Sequence, residues 1–443
     1  MNKQKGLIFG IKYANGLYDP FVQTRKRYLL NEDVNLNINS LGPPHENVKP
    51  YVNTFIDHWA KYGVKGHFTP MVMPNGTILP GYAKILDAFR QPCKQILGAR
   101  IPEETAVFPA QSVACSILYR WLLEVMREET DRTVVLYQTS AFPADKSIIE
   151  QLTDTVNICS TNSERFKHVA IPENSDGIIY EEKLIELMKD HEKSLALVVL
   201  GDGGVSWKTG QILNLKRIGN YAKKLGAKFM VNLAHAIGTT RLELHDWNVS
   251  VAVCCLYKNL SASAGGASLL FIHEDEFDNL EMLGISGWFG SEDPIGALQG
   301  KPMVLKKNAQ RMEVSNPCVI TLLPAYAALE EFVKHDHELI YEKSKGLLDY
   351  FDELMNAVQE NFDTPIRIIT PKDQRSMEIV FATKDPATTK KLHEYISEKI
   401  DGEEIICDMR DGDRIRVGMF ALVTNFPDLC KIFNRIWDFF DTQ

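Results

Sequence analysis

Ser250-Val251-Ala252-Val253-Cys254-Cys255-Leu256-Tyr257-Lys258-Asn259-Leu260-Ser261-Ala262-Ser263-Ala264-Gly265-Gly266 is an apolar run that ends abruptly in a tyrosine and a lysine. A second run, Lys228 to Val231, ends in the same way, in Asn232-Leu233-Ala234-His235. Both read as buried strands with polar residues at their carboxyl ends. In open α/β sheets ligands collect outside those ends, so Asn232, His235, Tyr257 and Lys258 are placed to converge on one ligand. An amine beside a hydrophobic floor loses part of its preference for charge, which favours the neutral nucleophile that condenses with an aldehyde. Lys258 therefore reads as a Schiff-base lysine. The competing reading is a lysine that snorkels from a strand end into water.

Working outward, strand-like runs at 133–137, 195–200, 228–231, 249–256 and 268–272 alternate with helical patterns at 113–127 and 215–225. This alternation predicts an α/β fold, a mostly parallel sheet covered on both faces. A large domain over 61–325 follows from the extent of the alternation. Beyond it, residues 321–359 read as long helices, and 377–382 and 414–417 as strands of a smaller α+β C-terminal domain over 326–443. No internal repeat, low-complexity tract or proline-rich linker interrupts the chain.

Composition fits an ordinary soluble enzyme. With 443 residues, 45% hydrophobic and 24% charged, the chain can bury a substantial core. A net charge of −9 argues against a nucleic-acid binder, which needs a basic face. No apolar stretch approaches the roughly 20 residues that span a bilayer, and the first residues lack the apolar core of a secretory signal. A cytoplasmic location with no membrane partner is the default. The eight cysteines form no C-x-x-C pair, so neither zinc nor a disulfide framework is indicated, and most read as small core residues. No metal site is expected.

Several short words add specificity when taken in order: Asn39-Ser40-Leu41-Gly42, His58-Trp59-Ala60, Gly66-His67, Phe142-Pro143-Ala144-Asp145, Thr209-Gly210-Gln211, His245-Asp246-Trp247, Tyr257-Lys258, Gly287-Trp288-Phe289-Gly290, Ser315-Asn316-Pro317 and Ile415-Arg416-Val417. Together they resemble the kynureninase family, pyridoxal-phosphate (PLP) enzymes of the fold-type I aminotransferase superfamily. The resemblance implies that Lys258 holds PLP and later moves protons, that Phe142 stacks on the pyridine face, and that Asp145 lies near the ring nitrogen. Tyr257, Trp288 and Asn316 would reach the phosphate, joined by Gln111 and Ser112 at a helix start, where free N–H groups favour an anion. Arg416 would clamp the carboxylate of a small amino-acid substrate as a two-pronged donor, and Ser40 and His67 would line the pocket for its aromatic end. In the family the residues matching Trp288 and Asn316 come from the second subunit, which implies a homodimer with shared sites. The N-terminal segment, 1–60, would wrap across both domains and toward that partner.

The implied reaction is hydrolysis of the Cβ–Cγ bond of L-kynurenine or 3-hydroxykynurenine, releasing anthranilate or its hydroxy analogue and alanine, a step of tryptophan catabolism. The chain departs from the pattern at Asn232, where the family has an aspartate facing the pyridine nitrogen. A neighbouring carboxylate raises the pKa of a cation by on the order of 1–3 units, and the protonated ring is the electron sink. An asparagine supplies no charge. Either Asp145 carries it alone, or the sink is weaker and the reaction has changed. Lys208 before Thr209-Gly210, and Ala421-Leu422-Val423 after Arg416, also depart from the family. The alternative is a diverged fold-type I enzyme, a lyase, aminotransferase or racemase, acting on another amino acid.

Other features have plainer readings. Gly201-Asp202-Gly203-Gly204 lacks the lysine and spacing of a phosphate loop and reads as a tight turn after a strand. His235 is either a cofactor contact or a satisfied structural histidine. Cys407 reads as a core residue rather than a reactive thiol, Arg414 as a supporting or surface residue, and Glu103-Glu104 as solvated surface.

Overall fold

The structure is a computed structural model, and it describes residues 19–31, 33–159, 165–363, 366–400 and 402–442. Seven strands form the principal sheet: β1 (Thr105–Phe108), β2 (Val134–Tyr137), β3 (Lys167–Ala170), β4 (Leu195–Leu200), β5 (Lys228–Asn232), β6 (Val251–Cys255) and β7 (Ser268–Ile272). Their order across the sheet is β1-β7-β6-β5-β4-β2-β3. Every neighbouring pair is parallel except those made by β7, which runs antiparallel to both β6 and β1. The predicted mostly parallel sheet is present.

Its inner strands are largely apolar because both faces are covered, whereas the edge strand Lys167–Ala170 carries Lys167 and His168 and is partly exposed. Leu136, Val198, Val231, Ala252 and Cys254 join one core, while the intervening Val135, Leu197, Val199, Met230, Val251 and Val253 join another on the opposite face. Period-two alternation thus sorts the side chains between two helical layers. The helix Gln111–Glu129 follows β1, and Pro143–Ile158 follows β2, with Pro143 filling a first-turn position where a missing N–H costs nothing. The helix Leu215–Leu225 is closed by the Asn214 side chain at one end and by Gly226, at a φ of 72°, at the other.

A second sheet contains β8 (Arg367–Ile368), β9 (Glu378–Ala382), β10 (Asp408–Arg410) and β11 (Arg414–Gly418), antiparallel in the order β8-β9-β11-β10. It shares a separate core with residues of the helices His337–Asn361, Pro386–Ser397 and Phe426–Asp441. Ahead of the main sheet, Val34–Asn35 pairs in parallel with Ile405–Ile406, and Gly42 N–H donates to the Tyr257 carbonyl at 3.1 Å. The N-terminal stretch therefore touches both the small-sheet region and the turn that carries Lys258.

One plain reading of the sequence changes. Glu104 is fully buried rather than solvated: its carboxylate accepts from Arg100 N–H at 2.7 Å and Glu274 N–H at 3.0 Å and meets His245 Nδ1 at 2.8 Å. These partners replace the water it gives up. Cys159 and Cys318 are exposed, whereas Cys93, Cys115, Cys254, Cys255 and Cys407 are buried. Among the described residues no helix is long and apolar enough to cross a membrane.

Candidate active site

The carboxyl ends of β4, β5 and β6 and the starts of the helices after β1 and β2 enclose a cleft of about 240 Å³, closed on one side by Arg410 and Arg416 of the small sheet. Ten of the sequence-derived site residues line it: Ser40, Gln111, Ser112, Phe142, Asp145, Asn232, His235, Tyr257, Lys258 and Arg416. His67 and Asn316 line a different hollow, beside Phe55, Trp59 and Tyr82. Trp288, edge-on to Phe289, lines neither.

Lys258 Nζ lies 2.8 Å from His235 Nε2, and His235 Nδ1 lies 2.5 Å from Glu378 Oε1. A carboxylate only accepts, so Nδ1 carries the imidazole proton and Nε2 turns its lone pair toward the lysine. Burial, reinforced by the Lys258 and Arg416 cations, pushes the His235 pKa down to about 4, even against the pull of Glu378, and keeps the ring neutral. Burial alone would raise Glu378, but His235 and Arg416 outweigh it and hold its carboxyl below the ordinary value. His235 is thus a satisfied histidine, and it is also a direct partner of the lysine.

On the opposite wall, Gln111 Nε2 donates to Asn232 Oδ1 at 2.9 Å, and Asn232 Nδ2 donates to Asp145 at 3.0 Å. Ala234 N–H also donates to Asn232 Oδ1, at 2.9 Å, which fixes the amide's orientation. Burial pushes the Asp145 pKa up to about 6, although Asn232, Cys115 and Lys258 each favour its anion. Phe142 is 45% exposed at the cleft, and Lys258 Nζ stands 5.9 Å from its ring centroid. Tyr257, half-buried, has its phenol pushed up to about 12 by burial.

Arg416 is almost fully engaged. It donates to both oxygens of Asp408, at 3.1 and 2.7 Å, and to the Trp207 carbonyl at 2.6 Å, and it pairs with Glu378 at 3.4 Å. Arg410 also pairs with Asp408 and lies across the Trp207 ring, 5.4 Å from the centroid, with its Nε buried and without a hydrogen-bond partner among the described residues. The sequence reading missed Glu378, Asp408, Arg410 and Asp202. Glu378 had a signal, a lone acid in an apolar strand. Asp408 and Arg410 alternate with Met409, a spacing that puts both charges on one face of a strand.

The cleft suits PLP. Phe142 offers an aromatic face, Gln111 and Ser112 sit in the first turn of a 19-residue helix, and a lysine stands opposite a buried carboxyl. Asn39 and Asp202, both in the lining, keep buried polar atoms that no side chain or backbone group among the described residues satisfies. Such orphans need a polar ligand.

Residues 340–436 match the family model described as the kynureninase C-terminal domain. Across most of the chain, the kynureninase of Monosiga brevicollis is 28% identical over 414 residues, covering 90% of this chain and 85% of that protein. Kynureninase 1 of Emericella nidulans is 27% identical, over 90% and 82%, and the Mus musculus kynureninase 25% identical, over 91% and 84%. Among solved structures, the cysteine desulfurase of Thermococcus onnurineus NA1 superposes with a TM-score of 0.71 at 14% identity, covering 96% of this chain and 99% of that one. The lyase C-DES, captured with glycine covalently linked to its PLP cofactor, gives 0.71 at 16% identity, over 94% and 99%. The structural likenesses establish the fold, and the family model over residues 340–436 together with the long sequence matches makes the chain similar to kynureninases over about nine-tenths of its length.

Proposed function

We propose that the protein is a PLP-dependent hydrolase that cleaves the Cβ–Cγ bond of L-kynurenine or 3-hydroxykynurenine. The observation that carries the reading is the Lys258–His235–Glu378 relay, set across one cleft from the Gln111–Asn232–Asp145 chain.

In this reading Lys258 anchors the cofactor and then works as the mobile base. PLP held there supplies a sink for the electrons left at Cα when its proton is removed. Neutral His235 offers Lys258 a hydrogen-bond acceptor while Glu378 fixes the imidazole tautomer, so the lysine amine is oriented toward the proton it moves. Phe142, Asp145 and Asn232 would hold the cofactor's ring, and the first turn at Gln111 and Ser112, with Tyr257, would hold its phosphate. Arg416 and Arg410 receive the substrate carboxylate, Arg416 exchanging part of its contact with Asp408 for it. Water adds to the γ-carbonyl, the Cβ–Cγ bond breaks, the aryl carboxylate leaves, Cβ takes a proton, and Cα regains the one it lost, giving alanine.

The functional unit in this reading is a homodimer. His67 and Asn316 line a hollow away from Lys258, beside exposed Trp59 and Val64, and a second copy is the natural source of their counterparts. The cytosol is the compartment, in keeping with eight free thiols. Release of anthranilate or 3-hydroxyanthranilate, followed by fluorescence with PLP-loaded protein, tests the reading. PLP bound without release would instead favour the second reading, a different amino acid as substrate, which the amide at Asn232 supports.

A further inference from the structure

The Gly201-Asp202-Gly203-Gly204 turn does form directly after β4, but it also brings a carboxyl into the cleft that no step above uses. In the sheet β4 lies between β5 and β2, so the chain leaving it emerges between Asn232, at the end of β5, and Asp145, in the helix after β2. The approach is close: a Cβ at Gly201 would stand 2.7 Å from Ala141 Cβ and 3.0 Å from Asp145 Cβ. Asp202 itself is 4% exposed. Its Oδ2 accepts from Trp207 N–H at 3.1 Å, with the Ser206 hydroxyl beside the carboxyl, and its Oδ1 is buried without a hydrogen-bond partner among the described residues. Burial raises its pKa well above the ordinary value, against the Trp207 N–H, and the nearby Asp145 and Glu173 carboxyls push the same way.

We propose that Asp202 is the second acid of the cofactor's ring-nitrogen site, sharing with Asp145 the electrostatic duty that the Asn232 amide cannot perform. This deepens the PLP reading of the cleft and rests on it. Two buried carboxyls lining one cleft disfavour a double anion, and a ring cation brought between them relieves that repulsion, so the pair favours the protonated ring. An amide at position 232 is then the consistent choice: it bridges Gln111 and Asp145 without adding a third buried carboxylate.

The test compares affinities for PLP and for its carba analogue, in which C–H replaces the ring nitrogen, by fluorescence titration of apoprotein. Asp202→Asn keeps an acceptor for Trp207 N–H, so the backbone turn retains its partner. It should weaken PLP by about tenfold, one pKa unit's worth of interaction, and the carba analogue by less than about twofold. Asn232→Asp added to Asp202→Asn should restore PLP affinity. Unchanged PLP affinity, or a loss of both ligands that Asn232→Asp does not restore, would overturn the assignment of Asp202 alone. If the wild-type protein takes neither ligand, the cofactor reading falls, and this inference with it.

Discussion

The two walls of the cleft handle charge in opposite ways. On the small-sheet side, Glu378, Asp408, Arg410 and Arg416 form an ion-pair network in which each cation faces an anion. On the main-sheet side, Asp145 and Asp202 are buried against an amide and a backbone donor, and one Asp202 oxygen has no hydrogen-bond partner among the described residues. Charges already paired with opposite charges must be partly released to bind a ligand, whereas buried carboxyls with no cation at hydrogen-bond distance gain by binding one. The main-sheet wall is accordingly built to receive a charged ring, and the small-sheet wall to hold an arginine in readiness.

Lys258 stands between the walls, and its loss should have the largest effect. Lys258→Ala removes both the anchor and the base, with an expected activity loss of 10²–10⁴-fold or more. Absorbance of PLP-loaded variant and wild type, read beside product release, checks it. A variant retaining wild-type turnover would break the division of labour between the walls.

Next in size is the small-sheet wall. Arg416→Lys keeps a charge but loses the planar fork, and should raise KM for the amino acid by roughly 10–100-fold, the cost of a charge-assisted pair. Asp408→Asn weakens the hold on Arg416 and should change KM less, and in the favourable direction if Arg416 must be released to bind. Equal increases in KM for both variants would mean that Asp408 orients Arg416 rather than competing with substrate.

The main-sheet wall should show itself in the pH dependence of apoprotein stability. His235, at about 4, lies below its unfolded value, so its contribution is whole above about 6.5 and drains away as pH falls toward 4. Asp145, at about 6, lies above its unfolded value, so its buried anion costs stability above pH 6, and that cost is relieved as pH falls toward 4. The two run in opposite directions. Asp145→Asn removes only the second, so its thermal stability relative to wild type should be most favourable near pH 7 and decline toward pH 4, by on the order of 2–4 kcal/mol. A pH-independent difference between the two proteins would show that Asp145 does not change its protonation there.

The main-sheet wall was also the more legible one in the sequence. Lys258, Asn232 and Asp145 sit at strand ends or a helix start, places that hydrophobic periodicity locates, and the family words named them. Glu378 and Asp408 lie within or between short strands of a non-local antiparallel sheet, and their value comes from pairing with Arg416, across a register that one chain's pattern does not reveal. Asp202 was visible as an acid among glycines, but a tight turn explained the glycines fully. What periodicity could not supply was the position of β4 between β5 and β2, which turns a loop residue into a neighbour of the site.

Cys407 offers the smallest expected effect and separates fold from chemistry. The fold is shared with cysteine desulfurases at a TM-score of 0.71, and a thiol near the small-sheet wall invites the thought of sulfur transfer. A nucleophilic thiol needs exposure and a lowered pKa. Cys407 has neither: it is buried in the small core, and burial, with Asp408 beside it, pushes its thiol up to about 12. It lies one residue from Asp408, yet strand alternation turns successive side chains to opposite faces, so the carboxylate meets Arg416 while the sulfur stays in the core. Cys407→Ser should therefore leave product release within about twofold and cost only modest stability, of the order of 1 kcal/mol for a small polar change in a core. Sulfide release from cysteine that disappears in this variant would contradict the placement and move the protein toward the chemistry of its structural neighbours.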